Sequence, residues 1–185
     1  ATLCGGFNRN FKILFSNAAI CGMLTLYAVK GDGAVSRYGD AAYEAFFKGY
    51  NCSQCVALAF AKEMKMTEEQ ALKMASGFGG GFGRLREVCG GFSGITLVLG
   101  VLYGSADPAK KTALYTDVQA LAAEYKARNG GSSIICRELL GLQKAEGSPV
   151  ASPRTPEYYK KRPCPELVRL AADIMAEYIE QHPLE

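Results

Sequence analysis

The sequence lacks tryptophan altogether, holds a single histidine and is nearly balanced in charge. Its 21 Lys and Arg face 18 Asp and Glu, a formal net charge of +3, and the two signs are interleaved along the chain. No basic stripe of the kind that follows a phosphate backbone is present, so nucleic acid is not expected as a partner. The one histidine, His182, lies beyond the last apolar repeat, where a frayed and solvated tail is the usual outcome. That position argues against histidine catalysis and against mixed Cys/His zinc sites. Sustained apolar/polar alternation between turn residues is also missing, which argues against a sheet.

Long hydrophobic runs are absent as well. The apolar stretch from Phe11 to Val29 is interrupted by Lys12, Ser16, Asn17 and Thr25 and is too polar for a membrane span. Arg9 and Lys12 ahead of it resemble the first regions of a signal peptide, yet no clean small-x-small cleavage site follows. A leader, or sequence foreign to the domain, is preferred over a signal or anchor for residues 1–34, and Cys4 and Cys21 within it carry no functional expectation. The seven cysteines form an odd count and fall below the density of a disulfide-stapled secreted domain. Reduced thiols in a cytoplasmic setting fit better.

What is there suffices for one core. Of 185 residues, 49% are hydrophobic, enough for a single domain over residues 35–185. From Val35 onward the periodicity is helical, and the expectation is an all-α bundle of about six to seven helices. Ala41 to Lys48 reads as a short helix ended by Gly49. Asn51 caps the next, and Thr67-Glu68-Glu69-Gln70 is a capping box opening a third. Gly77-Phe78-Gly79-Gly80-Gly81-Phe82-Gly83 permits left-handed backbone and close approach. It lacks the Lys-Ser/Thr of a phosphate loop and the preceding strand of a dinucleotide fold. Phe92 to Tyr103 is apolar on every side and reads as a central buried helix. Ala109 to Arg128 is a long helix with Leu114, Val118, Leu121 and Tyr125 on one face. A short helix carries Cys136, Gly147 to Pro156 is a surface loop, and a last helix starts at Pro163-Cys164-Pro165.

On this reading Cys52, Cys89, Cys136 and Cys164 each lie at or within a turn of a helix N-terminus. Unpaired N–H groups and the positive dipole end favour thiolates there. Arg84 and Arg86 precede Cys89, Arg137 follows Cys136, and Lys161 and Arg162 precede Cys164, which acts in the same direction. Cys52-Ser53-Gln54-Cys55 adds a C-x-x-C, although on a continuous helix Cys55 can point away from Cys52 as a buried small residue.

These residues give the chain a family resemblance from about Arg37 to Tyr178. Gly49-Tyr50-Asn51-Cys52-Ser53-Gln54, Ala75 to Gly81 continuing through Gly83-Arg84 to Glu87-Val88-Cys89-Gly90-Gly91-Phe92-Ser93-Gly94, Cys136-Arg137-Glu138-Leu139-Leu140-Gly141 and Cys164-Pro165-Glu166-Leu167-Val168 resemble, in that order and spacing, the C_GCAxxG_C_C family. Gly91 departs from it, standing where the family's motif usually has alanine. The resemblance implies a redox role, inferred in that family from its cysteines, and names no substrate or reaction.

Three functions follow as expectations. The leading one is thiol-disulfide chemistry or electron transfer by Cys52, Cys89, Cys136 and Cys164, with Cys55 as a further thiol, Cys52–Cys89 as the central pair and Cys136–Cys164 as the second. Its partner would be a redox protein or a small-molecule thiol. The alternative is convergence of the same four sulfurs on an iron-sulfur cluster or a zinc ion. The third is an interaction protein with inert thiols, whose helical faces form a homo-oligomer.

Overall fold

The computed structural model describes residues 36–144 and 147–184. The segment 1–34, with Cys4 and Cys21, lies outside the described residues. Eight α-helices, and no strand, are found among the described residues: α1 Arg37–Phe47, α2 Cys52–Ala59, α3 Glu68–Ala75, α4 Gly90–Tyr103, α5 Lys111–Arg128, α6 Cys136–Leu139, α7 Pro156–Lys160 and α8 Cys164–Gln181. The all-α expectation holds.

Local chemistry sets most helix starts. Asn51 accepts hydrogen bonds from the Ser53 and Gln54 N–H groups at 3.1 and 3.0 Å, while Gln54 Oε1 accepts from the Asn51 N–H at 3.1 Å. This reciprocal box satisfies otherwise unpaired N–H groups and is worth about 1 kcal/mol. Thr67 and Gln70 repeat the device at α3. The first helix begins at Arg37 rather than near Ala41 because Ser36 Oγ caps it, accepting from the Gly39 N–H at 3.1 Å. Asp173 on α8 in turn accepts from the Ser36 N–H and hydroxyl at 2.9 and 2.6 Å, locking the start of α1 to α8. Helix α7 went unread in the sequence, although Thr155 caps it and Pro156 occupies its first turn.

Helix α8 is the spine. Its buried side carries Leu167, Val168, Ala171, Ala172, Ile174 and Met175, a three-and-four spacing that makes one continuous apolar face. Helices α1, α2, α4 and α5 all pack on α8, and α2 also packs on α1, α3 and α4. Phe46, Phe60, Val56, Ile95, Val98, Leu99 and Tyr125 fill the space between them. The α2–α4 approach is closest at Gly94, where a Cβ would stand 2.6 Å from Val56 Cβ. Helix α4 is buried along its first half, as expected, but its C-terminal end opens to solvent at Gly100 and Val101. Among the described residues no helix is long and apolar enough to cross a membrane.

Candidate functional site

The four motif cysteines sit at helix starts as the spacing predicts. Cys52, Cys136 and Cys164 are the first residues of α2, α6 and α8, and Cys89 is the N-cap of α4. An antiparallel bridge between Val88 and Ile135 brings two of them to one place. The Cys89 N–H donates to Ile134 O at 2.7 Å, and the Cys136 N–H donates to Glu87 O at 2.6 Å. Glycines then admit the sulfurs: a Cβ on Gly90 would lie 2.9 Å from Cys52 Cβ, and one on Gly81 would lie 2.8 Å from Cys136 Cβ. Both contacts are closer than side-chain atoms tolerate, so only glycine lets these backbones approach the cysteines.

The glycine-rich loop adopts an unusual path. Gly80, Gly81, Phe82, Gly83 and Arg84 run consecutively at φ of 65, 70, 58, 56 and 72°, and Arg86 follows at 63°. Left-handed backbone costs a non-glycine residue roughly 1–2 kcal/mol, so Phe82, Arg84 and Arg86 must be held there by their surroundings. Hydrogen bonds back into the loop do so: Gly83 N–H to Gly77 O at 2.9 Å, Arg86 N–H to Gly80 O and Glu87 N–H to Gly81 O, both at 3.2 Å. The result turns the Gly80 N–H toward the Cys52 sulfur. It also sets Arg86, only 3% exposed, with Nη1 at 4.0 Å from the Cys136 sulfur.

Cys52 is the hub. The Cys164 thiol hydrogen-bonds to it and acts most strongly on its titration, and Cys52 in turn raises Cys55, Cys89 and Cys136. It is half-buried, whereas Cys55, Cys89, Cys136 and Cys164 are buried. Cys89 lies deeper, with Tyr125 Oη 3.6 Å from its sulfur; that phenol also donates to Leu167 O at 3.4 Å. The Cys55 thiol donates to Tyr50 O at 3.7 Å and is fully enclosed in the core.

The expectation of stabilised thiolates is corrected by the structure. The Cys52 thiol is pushed well above the ordinary range by the neighbouring Cys164 thiol and by burial. Burial, then Cys52, raises Cys89 from 9.0 to about 12, with the Tyr125 hydroxyl opposing. Cys55 and Cys136 move up mainly through burial, and at Cys136 the Arg86 guanidinium works against the rise. Magnitudes show why the helix dipole loses. For Cys89, 4% exposed, the rise corresponds to roughly 4 kcal/mol, whereas a helix terminus supplies about 0.3–1 kcal/mol.

A cavity of about 260 Å³ opens beside this cluster. Cys52, Cys136 and Cys164 form one wall, and Arg84, Arg86, Arg154 and Arg162 surround them. The expected cationic neighbours are partly redistributed. Arg86 touches Cys136 rather than its sequence neighbour Cys89, Arg137 turns outward to Glu87 at 2.9 Å, and Lys161 is exposed. Arg154 was not foreseen. It reaches from the 147–155 segment to donate to Phe46 O at 3.3 Å and Tyr50 O at 3.0 Å, and it stacks on Phe46 and Tyr158. Arg84 ties the same segment down through Ser148 O and Ser152 Oγ at 3.0 and 3.2 Å. What reads in sequence as a free surface loop therefore forms part of the cavity wall, with Pro149, Ala151 and Ser152 lining it.

Zinc or an iron-sulfur cluster needs three or four donors converging on one point. Among the described residues no group of three His, Cys, Asp or Glu side chains is placed to hold a metal ion. The thiols as arranged do not fit the four-ligand alternative.

The family model described as "Putative redox-active protein (C_GCAxxG_C_C)" matches residues 50–178, a span that contains Cys52, Cys89, Cys136, Cys164 and the glycine-rich loop. No curated protein and no solved structure matches the chain.

Proposed function

We propose, from the premise that this chain belongs to the C_GCAxxG_C_C family of redox-active proteins, that Cys52 and Cys164 are its working thiol-disulfide couple. The observation that carries the reading is that Cys52 and Cys164 open two helices packed on each other, α2 and α8, and line the same cavity, with a hydrogen bond between their thiols. Cys52 is the more open of the two and serves as the attacking thiol, with Cys164 resolving. This replaces the pairing of Cys52 with Cys89, whose sulfur faces Tyr125 behind the cavity.

Burial shapes the mechanism. A thiol held protonated is a slow nucleophile, because the thiolate is the reacting species. Attack therefore proceeds through the small ionised fraction of Cys52, which the Gly80 N–H and the Arg154 guanidinium both favour. Once Cys52 is bonded to an incoming sulfur, Cys164 displaces that sulfur and closes the internal disulfide. Disulfide formation replaces two buried ionisable groups with one neutral apolar bond, which suits the surroundings.

The test is equilibration of the full chain in thiol/disulfide redox buffers of graded potential, with oxidation read by trapping free thiols. The parent, Cys55→Ser and Cys89→Ser should titrate as a two-electron couple, and Cys52→Ser and Cys164→Ser should not. Persistence of the couple in Cys164→Ser would assign the resolving role elsewhere.

A further inference from the structure

We infer that the cavity beside Cys52 takes a small, carboxylate-bearing disulfide, with Arg154 and Arg162 holding its acid group while its sulfurs face Cys52 and Cys164. The inference deepens the thiol-disulfide reading above and rests on it.

The cavity's charge is the first argument. Both Nη donors of Arg154 go to neutral backbone carbonyls, Phe46 O and Tyr50 O, and its guanidinium lies 4.3 Å over the Phe46 ring. Arg162 lies 4.8 Å over the Tyr158 ring. Neither has a carboxylate partner among the described residues, and no Asp or Glu among them lines the cavity. Arg154 and Arg162 are half-buried cations held against neutral groups, and withdrawing such charge from water is costly unless an anion compensates it. The guanidinium fork of Arg162 matches a carboxylate in shape as well as charge, and Arg154, whose Nη groups already serve Phe46 O and Tyr50 O, adds charge beside it.

Size is the second argument. At about 260 Å³ the space is below the roughly 300–1,000 Å³ of most small-molecule sites. One arm of a compact disulfide fits it. The same small cavity is lined by Arg154 and Arg162 and by Cys52, Cys136 and Cys164, so an acid group bound there leaves the attached sulfur close to the thiols.

The chemistry balances without a further reagent. The Cys52 thiolate attacks one sulfur of the bound disulfide, forming a protein–ligand disulfide and expelling the other half as a thiolate. The Cys164 thiolate then attacks Cys52 Sγ, expelling the bound half and forming the Cys52–Cys164 disulfide. Two electrons pass from the protein to the ligand, and the protons lost by Cys52 and Cys164 are taken up by the two released thiolates through solvent.

Single-turnover oxidation of the reduced full chain at low salt tests this with three disulfides of similar size: dithiodipropionate (anionic), hydroxyethyl disulfide (neutral) and cystamine (cationic). The expected order is anionic, neutral, cationic, with a spread of roughly tenfold or more that collapses in Arg162→Gln and in Arg154→Gln. The Arg162 variant keeps the test valid if loss of the Arg154 backbone contacts unfolds the chain. Arg162→Gln should lose far more rate with dithiodipropionate than with hydroxyethyl disulfide, whereas Arg154→Gln, which also removes a cation favouring the Cys52 thiolate, should slow all three reagents. Equal rates for the three reagents, or faster reaction with cystamine, would overturn the anion site and leave the thiol couple standing. Failure of all three to oxidise Cys52 and Cys164 would overturn both.

Discussion

Raising the pH of the reduced protein from about 7 to about 10 separates burial from the helix dipole as the force acting on the thiols. Cys89 is the cleanest probe, because it is 4% exposed and titrates in the folded chain at about 12 against an ordinary 9.0. The folded form thus holds its proton more tightly than the unfolded form. Its contribution to stability is complete below about pH 9 and is lost as the pH climbs from there toward about 12. At about pH 10 the unfolded thiol is ionised roughly ten to one, which stabilises the unfolded state by about 1.4 kcal/mol, while folded Cys89 stays protonated. That figure barely depends on how far above about 11 the folded value lies. Urea unfolding under reductant, run at both pH values on the parent and on Cys89→Ala, gives the number as a difference of differences. Tyr125 and Tyr178, both also raised by burial, largely cancel between parent and variant. The parent should lose about 1.4 kcal/mol more than Cys89→Ala between the two pH values. Equal losses, or a parent that gains stability relative to the variant, would mean that the helix start does hold a thiolate and that burial has been overrated.

Other consequences follow from the packing around the sulfurs. Gly90→Ala would press its new methyl against Cys52 Cβ at 2.9 Å and should cost about 1–3 kcal/mol in thermal or chemical unfolding. Gly91→Ala restores the residue usual in the family's motif and meets Leu167 O at 3.2 Å, Tyr125 Oη at 3.3 Å and Ala171 Cβ at 3.5 Å. Helix propensity favours it by about 0.5–1 kcal/mol, so the same assay should place it within about 1 kcal/mol of the parent. Tyr125→Phe removes the hydroxyl beside Cys89 and Leu167 O; it should cost about 1 kcal/mol and move the Cys89 thiolate absorbance to still higher pH.

The sequence made the helix starts legible because their causes are local. The Asn51 and Thr67 boxes, the prolines around Cys164 and the helical repeat of α8 all act within a few residues of where they are written. The convergence of the four cysteines on one end of the bundle was legible only as a shared position at helix starts. Which sulfur meets which depends on α2 packing against α8 and on the Val88–Ile135 bridge, contacts between segments far apart in the chain. The direction of the thiol titrations was misread for the same reason: the dipole is a property of one helix, while burial is supplied by all the others. Arg154 left no local trace, since its role comes from reaching back to Phe46 O and Tyr50 O across the fold.

The most direct test of the central claim is disulfide mapping. The reduced full chain would be mildly oxidised, its remaining thiols blocked, and its proteolytic peptides identified by mass. The account predicts one dominant cross-link, Cys52 to Cys164, with Cys55 and Cys89 recovered as blocked free thiols. A dominant Cys52–Cys89 or Cys52–Cys55 cross-link, or recovery of both Cys52 and Cys164 as free thiols, would contradict it.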